Sequence, residues 1–162
     1  MLRVMTSSSA PPSRRVLAVA SGGGHWVQLL RLRPAFAGHA VTYVTVRDDY
    51  RSDLDADERE RFRVVVDATE WQRLLLVKLF AQLIWAVVRT RPHVVVTTGA
   101  APGLMAIAAG RAIGAKTMWI DSIANVEEIS KSGRLSRRIA SRCLTQWPDL
   151  ADDGVVHAGS VL

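Results

Sequence analysis

Cysteine, aromatic residues and long apolar runs are all scarce in this chain of 162 residues. Its single cysteine, Cys143, excludes a disulfide framework and a zinc site built on cysteine. Its four histidines are scattered without metal-ligand spacing, so we expect neither a metal ion nor another cofactor. Apolar residues still make up 49% of the chain, which is enough for one well-packed domain and leaves no room for two.

The chain also lacks an apolar segment long enough to span a bilayer. Its longest apolar run, residues 74–88, is interrupted by Lys78 and Gln82 and falls short of the roughly 20 residues that a spanning helix needs. The amino-terminal segment has no apolar core of a secretory signal and is rich in serine and proline. We therefore predict a disordered leader over residues 1–14, a folded domain over residues 15–162, and a cytoplasmic location with at most peripheral membrane contact.

Acidic residues are missing from most of the chain. Seven of the 15 lie between positions 48 and 60, whereas residues 1–45, 71–120 and 131–142 contain none. The net charge is +6, so we expect an anionic partner such as a phosphorylated ligand or an acidic lipid surface. The sequence has no nucleic-acid-binding motif and no interleaving of aromatic with basic residues, so we expect no nucleic-acid partner.

What the sequence does contain is an alternation of apolar strands and helices. Apolar and β-branched runs predict strands over Val16–Ala20, Val41–Val46, Phe62–Val66, Val94–Thr98, Lys116–Asp121, Leu144–Trp147 and Val155–Ala158. Helical spacing predicts helices over Trp26–Phe36, Trp71–Arg89, Gly103–Ile113 and Leu135–Cys143, with an exposed loop or short helix over residues 48–60. Such an order is typical of the α/β class, with a Rossmann-like parallel sheet and helices on both of its faces.

The predicted helix Trp71–Arg89 is open to two interpretations. A helix as apolar as this one is most often buried in the core. Alternatively, it inserts partly into a membrane, with Lys78 and Arg89 reaching the lipid headgroups.

Three loops at the carboxyl ends of predicted strands are the candidate ligand sites, since ligands of such sheets bind at that edge. The first contains Ser21, Gly22, Gly23, Gly24 and His25, and a helix follows it. Glycines allow close approach of a ligand, and the N–H groups of a helix start suit a phosphate or diphosphate. The loop matches neither the dinucleotide fingerprint nor the Walker motif, so nucleotide hydrolysis is not expected. The alternative is a tight turn with a capping histidine.

Each remaining candidate residue has a chemical and a structural interpretation. His25 is either a general base or a structural histidine. Thr98 and Gly99 either form a second anion-binding turn or simply join a strand to a helix. Asp121, followed by Ser122, either orients a substrate hydroxyl or the histidine, or caps the next helix.

These loops, in this order, resemble a known family. The segment SGGGHWVQLLRL resembles the Ser-Gly-Gly-His loop of the membrane-anchor subunit of the two-subunit N-acetylglucosaminyltransferase of N-glycan assembly, and of its bacterial exopolysaccharide and capsule relatives. The likeness continues through VVVTTGAAPG, MWIDS, GRL and QWP to the end of the chain. A fainter likeness extends to the amino-terminal lobe of the lipid-linked glycosyltransferase of peptidoglycan synthesis.

The resemblance implies a single lobe of a GT-B glycosyltransferase that binds the acceptor. The reaction would transfer a sugar from a UDP-sugar to a polyprenyl-diphosphate-linked saccharide at the inner face of the plasma membrane, without a metal. The chain would work with a small donor-binding subunit, and the edge near Gln146, Trp147 and Pro148 would face that subunit. The alternative is a non-catalytic membrane scaffold that enhances a separate soluble glycosyltransferase.

The resemblance also implies roles for individual residues. His25 and Asp121 would be the catalytic candidates, with His25 as base or acceptor-positioning group. The acceptor and its phosphates would be held by Ser21, Gly22, Gly23, Gly24, Thr98, Gly99 and Ser122.

Overall fold

The computed structural model describes residues 13–59, 61–69 and 71–161, and the predicted leader lies almost entirely outside them. The described residues form a seven-stranded sheet, in the order β3-β2-β1-β4-β5-β6-β7, in which all neighbouring strands are parallel. The strands are β1 (Arg15–Val19), β2 (Ala40–Thr45), β3 (Phe62–Val64), β4 (Val94–Thr97), β5 (Lys116–Ile120), β6 (Arg142–Thr145) and β7 (Val156–His157).

The same residues contain five α-helices and three short 3₁₀ turns. The helices are α1 (Gly24–Arg31), α2 (Ala56–Arg59), α3 (Arg73–Thr90), α4 (Ala100–Ala112) and α5 (Lys131–Ser136). The 3₁₀ turns are Arg33–Phe36, Asp49–Asp53 and Pro148–Leu150. The predicted α/β class and parallel sheet are thus confirmed, and every predicted strand is present with slightly different ends.

One predicted helix is wrong over most of its length. The basic run Leu135–Cys143 was expected to be helical, but α5 ends at Ser136 and β6 begins at Arg142. The helix starts earlier than predicted because the Ser130 side chain caps it by accepting the Gly133 N–H. Cys143 belongs to the sheet because its side chain is buried against Trp119 of β5.

Two other predicted helices differ at their ends. The helix expected over Trp26–Phe36 is α-helical only to Arg31 and continues as a 3₁₀ turn with Pro34 in its first positions. The proline lacks an N–H and cannot extend the α-helical hydrogen bonding. Helix α4 begins at Ala100, three residues before the predicted start at Gly103.

The hydrophobic core has a layer on each face of the sheet. On one face, Trp26 and Leu29 of α1 pack against apolar side chains of β1 and β2. On the other face, Leu79 and Leu83 of α3 and Ala106 of α4 pack against Leu17, Val19 and Val95. Helices therefore cover both faces, as the continuous apolar strands predicted.

Helix α3 is apolar on its exposed face as well as on its buried face. Its buried side chains are Leu79, Leu83, Ala86 and Val87. Its large exposed apolar side chains are Leu74, Val77, Phe80, Ile84, Trp85 and Val88, with Trp71 just before the helix. None of the helices in the described part of the chain is both long and apolar enough to cross a membrane.

The strand order places a topological switch between β1 and β4. The chain moves from β1 outward to β2 and β3, then returns to β4 beside β1 and continues in the other direction. In such sheets a crevice opens at the carboxyl ends of the two central strands, where ligands bind. The loops after β1 and β4, both predicted as ligand sites, meet at this crevice.

Candidate functional site

The glycine loop after β1 presents backbone N–H groups at the start of α1. Gly23 is the residue preceding the helix and has a φ of +65°, a conformation that glycine adopts without steric cost. Gly23 and Gly24 are exposed, and within the described residues no hydrogen bond occupies the N–H of Gly24 or of His25. The loop is therefore open to an anion, which the positive end of the helix dipole would favour.

His25 is held across the crevice between the two loops. Its Nδ1 lies 3.0 Å from the Ser21 hydroxyl, and its carbonyl oxygen accepts a hydrogen bond of 2.7 Å from the Thr98 hydroxyl. Its ring packs on Gly99, where an added Cβ would lie only 2.7 Å from the His25 Cδ2 atom. The glycine is thus required to make room for the imidazole, and Ser21, Thr98 and Gly99 fix its position together.

The environment of His25 keeps its imidazole neutral. Burial lowers the pKa of His25 below its ordinary value, and the negative charge of Asp121 opposes that shift only in part. When Nδ1–H donates to Ser21, Nε2 presents a lone pair, and no described residue hydrogen-bonds to Nε2. A neutral histidine whose Nε2 has no partner among the described residues is able to accept a proton from a hydroxyl group.

The loop after β4 approaches the same point with an unusual backbone. Gly99 has a φ of +134° and Ala100, the first residue of α4, has a φ of +62°. Positive φ in a non-glycine residue is strained, and such strain is concentrated at functional sites. Gly103 sits so close to the Thr97 side chain that a Cβ would clash with it, which draws the start of α4 onto the sheet.

Asp121 lies at the end of β5 and is fully engaged by the protein. Its side chain is buried and accepts hydrogen bonds from the Trp119 indole at 3.0 Å, the Asn125 amide at 3.0 Å, and both the N–H and the hydroxyl of Ser130, at 3.0 and 2.6 Å. The carboxylate therefore holds the loop between β5 and α5. Its influence on His25 is electrostatic.

Ser122 belongs to a buried amide network that the sequence analysis missed. The Gln28 side chain donates to the Ser122 hydroxyl at 3.1 Å and accepts from Gln146 at 2.6 Å. Gln146 also accepts the Val161 N–H at 2.9 Å, so the carboxyl-terminal segment is tied to α1 through two glutamines. The sequence feature that could have indicated this network is Gln28, a polar residue one turn after Gly24 on the core side of a helix.

A second missed residue is Tyr50, in the turn after β2. Its ring is stacked on Trp26 with centroids 5.2 Å apart, and its hydroxyl accepts the Gly23 N–H at 2.8 Å. Tyr50 therefore supports the glycine loop directly. The sequence feature that could have indicated its role is its position just beyond the carboxyl end of β2, the strand adjacent to β1. Tyr50 was missed because it lies in a stretch whose most evident feature is its acidic residues.

The acidic stretch contains Asp-x-Asp spacing, in Asp53-Leu54-Asp55-Ala56-Asp57, but its carboxylates do not converge. Asp53 accepts the Trp26 indole N–H at 2.8 Å, and Asp55 and Glu58 pair with Arg33. Within the described residues, no group of three or more histidine, cysteine or acidic side chains is arranged to hold a metal ion.

Another concavity lies away from the corner formed by the glycine loop, His25 and Gly99, which we call the glycine–histidine corner. A cavity of about 720 Å³ is lined by residues at the amino ends of β5 and β6, among them Lys116, Arg137 and Arg142. We assign the candidate site to the glycine–histidine corner, because the polar groups there converge on one point and the switch of strand order lies there.

The amino-acid sequence of this chain is similar to those of known proteins over most of its length. Residues 16–159 match the family described as oligosaccharide biosynthesis protein Alg14 like. The UDP-N-acetylglucosamine transferase subunit ALG14 of Eremothecium gossypii is 30% identical over 86% of this chain and 75% of that protein. The subunit of the same name from Cryptococcus neoformans var. neoformans is 42% identical over 27% of this chain and 20% of that protein.

Solved structures share the fold at low sequence identity. MurG of Acinetobacter baumannii matches with a TM-score of 0.74 and 12% identity over 92% of this chain and 46% of that chain. The UDP-GlcNAc 2-epimerase of Methanocaldococcus jannaschii matches with a TM-score of 0.63 and 9% identity over 90% and 45%. The chain thus spans a little under half of each structure.

The predicted single-lobe fold is confirmed, because the parallel sheet with its helices is similar to one lobe of GT-B glycosyltransferases. The predicted family is confirmed as well, because the match covers residues 16–159 and the ALG14 relative is 30% identical over most of both chains. This chain belongs to the Alg14-like family of oligosaccharide biosynthesis proteins.

Proposed function

We propose that this chain is the acceptor-binding subunit of a bipartite glycosyltransferase. The enzyme transfers a sugar from a UDP-sugar to a polyprenyl-diphosphate-linked saccharide in glycan or polysaccharide biosynthesis, at the cytoplasmic face of the membrane. The observation that carries the proposal is the open N-terminus of α1 at the strand switch, with neutral His25 beside it. The ALG14 relative, a UDP-N-acetylglucosamine transferase subunit, supports the reaction class.

The diphosphate of the acceptor binds at the glycine loop in this proposal. The N–H groups of Gly24 and His25 donate to phosphate oxygens, and the α1 dipole stabilises their negative charge. Thr98 and Gly99 hold the imidazole against the bound acceptor. No metal takes part in this step.

His25 then acts as the general base. Its Nε2 takes the proton of the acceptor hydroxyl while that oxygen attacks the anomeric carbon of the donor sugar. The bond from the anomeric carbon to the diphosphate oxygen breaks, and nucleoside diphosphate leaves. Asp121 is a positioning group that stabilises the imidazolium through its charge and holds the adjacent loop.

A small donor-binding subunit supplies the nucleotide-sugar in this proposal. Gly23 and Gly24 are exposed beside the half-buried His25, as expected for half of a cleft that a second lobe completes. This chain covers 46% of the Acinetobacter baumannii MurG chain, and in this proposal the donor-binding subunit supplies the equivalent of the remainder.

Helix α3 is the membrane-docking element in this proposal. Leu74, Trp85 and Val88 are more than half exposed, although burial of such side chains stabilises proteins by roughly 1.5–3 kcal/mol each. Arg73 and Lys78 flank this apolar face, and residues 71–120 contain no acid. An apolar face bordered by cations fits an anionic bilayer surface, which would keep the lipid-linked acceptor near the site.

The alternative function is a non-catalytic scaffold that recruits a soluble glycosyltransferase to the membrane. One observation favours it: the Asp121 carboxylate has four donors from the protein and offers little to a substrate. The two functions differ in whether the partner subunit has full activity alone.

The catalytic role is tested by replacing His25 in the purified complex with its donor subunit. We expect His25→Ala to lower the rate of sugar transfer by roughly 10²- to 10⁴-fold, the usual loss for a general base. His39→Ala is the matched control, because His39 precedes β2 and so lies at the amino ends of the strands, away from the crevice at their carboxyl ends. An unchanged rate with His25→Ala would remove the base from the proposal.

A further inference from the structure

Arg47 lies against the glycine loop, although neither its role nor its position was evident from the motifs. It follows β2, whose last residues pair with the end of β1, so its side chain extends beside the loop after β1. Its Cδ atom lies 3.4 Å from the position that a Cβ of Gly22 would occupy. A side chain at Gly22 would therefore be in van der Waals contact with the aliphatic stem of Arg47.

The guanidinium of Arg47 is held in place without being buried. It lies over the ring of Tyr50, 5.4 Å from the centroid, and Tyr50 in turn accepts the Gly23 N–H. It also forms a two-point ion pair with Asp49, from Nε to Oδ1 at 3.0 Å and from Nη2 to Oδ2 at 2.7 Å. The side chains of Arg47 and Asp49 are 57% and 60% exposed.

Asp49, the partner of Arg47, could therefore be replaced by an anionic ligand at little cost. An ion pair between two exposed side chains contributes little net stability, because both charges are well hydrated when apart. A diphosphate carries more charge than a carboxylate, and pairs of its oxygens can also accept two hydrogen bonds from one guanidinium. Tyr50 and Arg47 both lie beside the glycine loop. A diphosphate bound to that loop would therefore lie close to the Arg47 guanidinium.

We propose that Arg47 binds the diphosphate of the acceptor, releasing Asp49 as the anion arrives. Tyr50 is a positioning residue that sets the Gly23 N–H and carries the guanidinium over its ring. Asp49 holds Arg47 extended in the free protein and competes with the ligand. This inference rests on the proposed function, since it assigns a further contact to the same acceptor site.

The test is the binding of geranyl diphosphate, a water-soluble polyprenyl diphosphate, to the full chain by titration calorimetry. We expect Arg47→Ala to weaken binding roughly 10- to 100-fold, the loss typical of a charge-assisted contact. Arg111→Ala removes the same charge from the last turn of α4 and should bind as the unaltered chain does. Thermal unfolding of each variant controls for folding.

A second variant separates a ligand contact from a general charge effect. Asp49→Asn should tighten binding roughly two- to fivefold, because the competing carboxylate is gone, and should have no effect when Arg47 is already alanine. Equal affinity of Arg47→Ala and the unaltered chain would overturn the Arg47 contact and leave the acceptor site standing. Failure of the unaltered chain to bind the probe would overturn both.

Discussion

At the scale of single residues, the account depends on how His25 is positioned over Gly99. The glycine spacing could be read from the sequence because glycine requirements are local: a positive φ or a close approach concerns one residue and its neighbours. The Gln28–Gln146 contact could not be predicted from the sequence, because the two residues are 118 positions apart and meet only once the sheet has formed. The same holds for Tyr50 and Arg47, which reach the glycine loop through the pairing of β1 with β2.

Replacing Gly99 with alanine tests this positioning. The new Cβ would meet the His25 ring in a backbone conformation unsuited to alanine, so we expect a loss of about 1–3 kcal/mol in the free energy of unfolding and a displaced imidazole. Urea unfolding and the NMR signals of His25 measure the two effects. Gly38→Ala is the matched control, because Gly38 has a φ of +78° with open space around it and should cost only about 1 kcal/mol.

The pH dependence of His25 gives another prediction at this scale. Because burial lowers its pKa below 6.5, the neutral imidazole prevails at pH 7, and sugar transfer should fall only on acidification below pH 6.5. Between the lowered pKa and 6.5 the unfolded chain binds more protons, so the free energy of unfolding should rise with pH there. An NMR titration of His25, assigned with His25→Gln, measures the pKa. A value at or above 6.5 would contradict the account.

At the scale of elements, the sequence predicted strands better than it predicted helix ends. Each strand is a compact apolar run, whereas the segment from Leu135 to Cys143 changes from helix to strand without a glycine or proline between them. The start of α5 is set by Ser130, which the carboxylate of Asp121 holds from nine positions away. Helix α3 is buried on one face only, and its other face is apolar and exposed, so the interpretation of a wholly buried helix is wrong and partial membrane insertion stays a prediction.

The exposed face of α3 yields the prediction at this scale. Leu74→Ser and Trp85→Ser should leave the free energy of unfolding within about 0.5 kcal/mol, because neither side chain is packed in the core. Binding to vesicles containing phosphatidylglycerol should fall roughly tenfold or more for each change, and should weaken further at high salt. Vesicle sedimentation measures the binding.

Leu79→Ala serves as the converse control for that experiment. Leu79 is fully buried, so its truncation should cost about 2–5 kcal/mol of stability while the folded fraction still binds vesicles normally. Vesicle binding that is insensitive to Leu74→Ser and Trp85→Ser would remove α3 as the docking element.

At the scale of the whole molecule, the described residues form a parallel α/β fold with a crevice at the carboxyl ends of its central strands, in a chain of net positive charge. The net charge of +6 and the parallel sheet with its strand switch were accessible from composition and periodicity, because both are properties summed over many residues. The identity of the acceptor contacts depends on where individual side chains meet at the crevice, and only the folded chain brings them together. We predict that this fold binds the acceptor and needs a second subunit to transfer a sugar.

Reconstitution of sugar transfer from separated subunits tests that claim most directly. Purified chain, purified donor-binding subunit and their mixture are each supplied with UDP-N-acetylglucosamine and a polyprenyl-diphosphate-linked saccharide on anionic vesicles. We expect product only from the mixture, with a rate that saturates at one chain per partner. Full activity of either subunit alone would contradict the account.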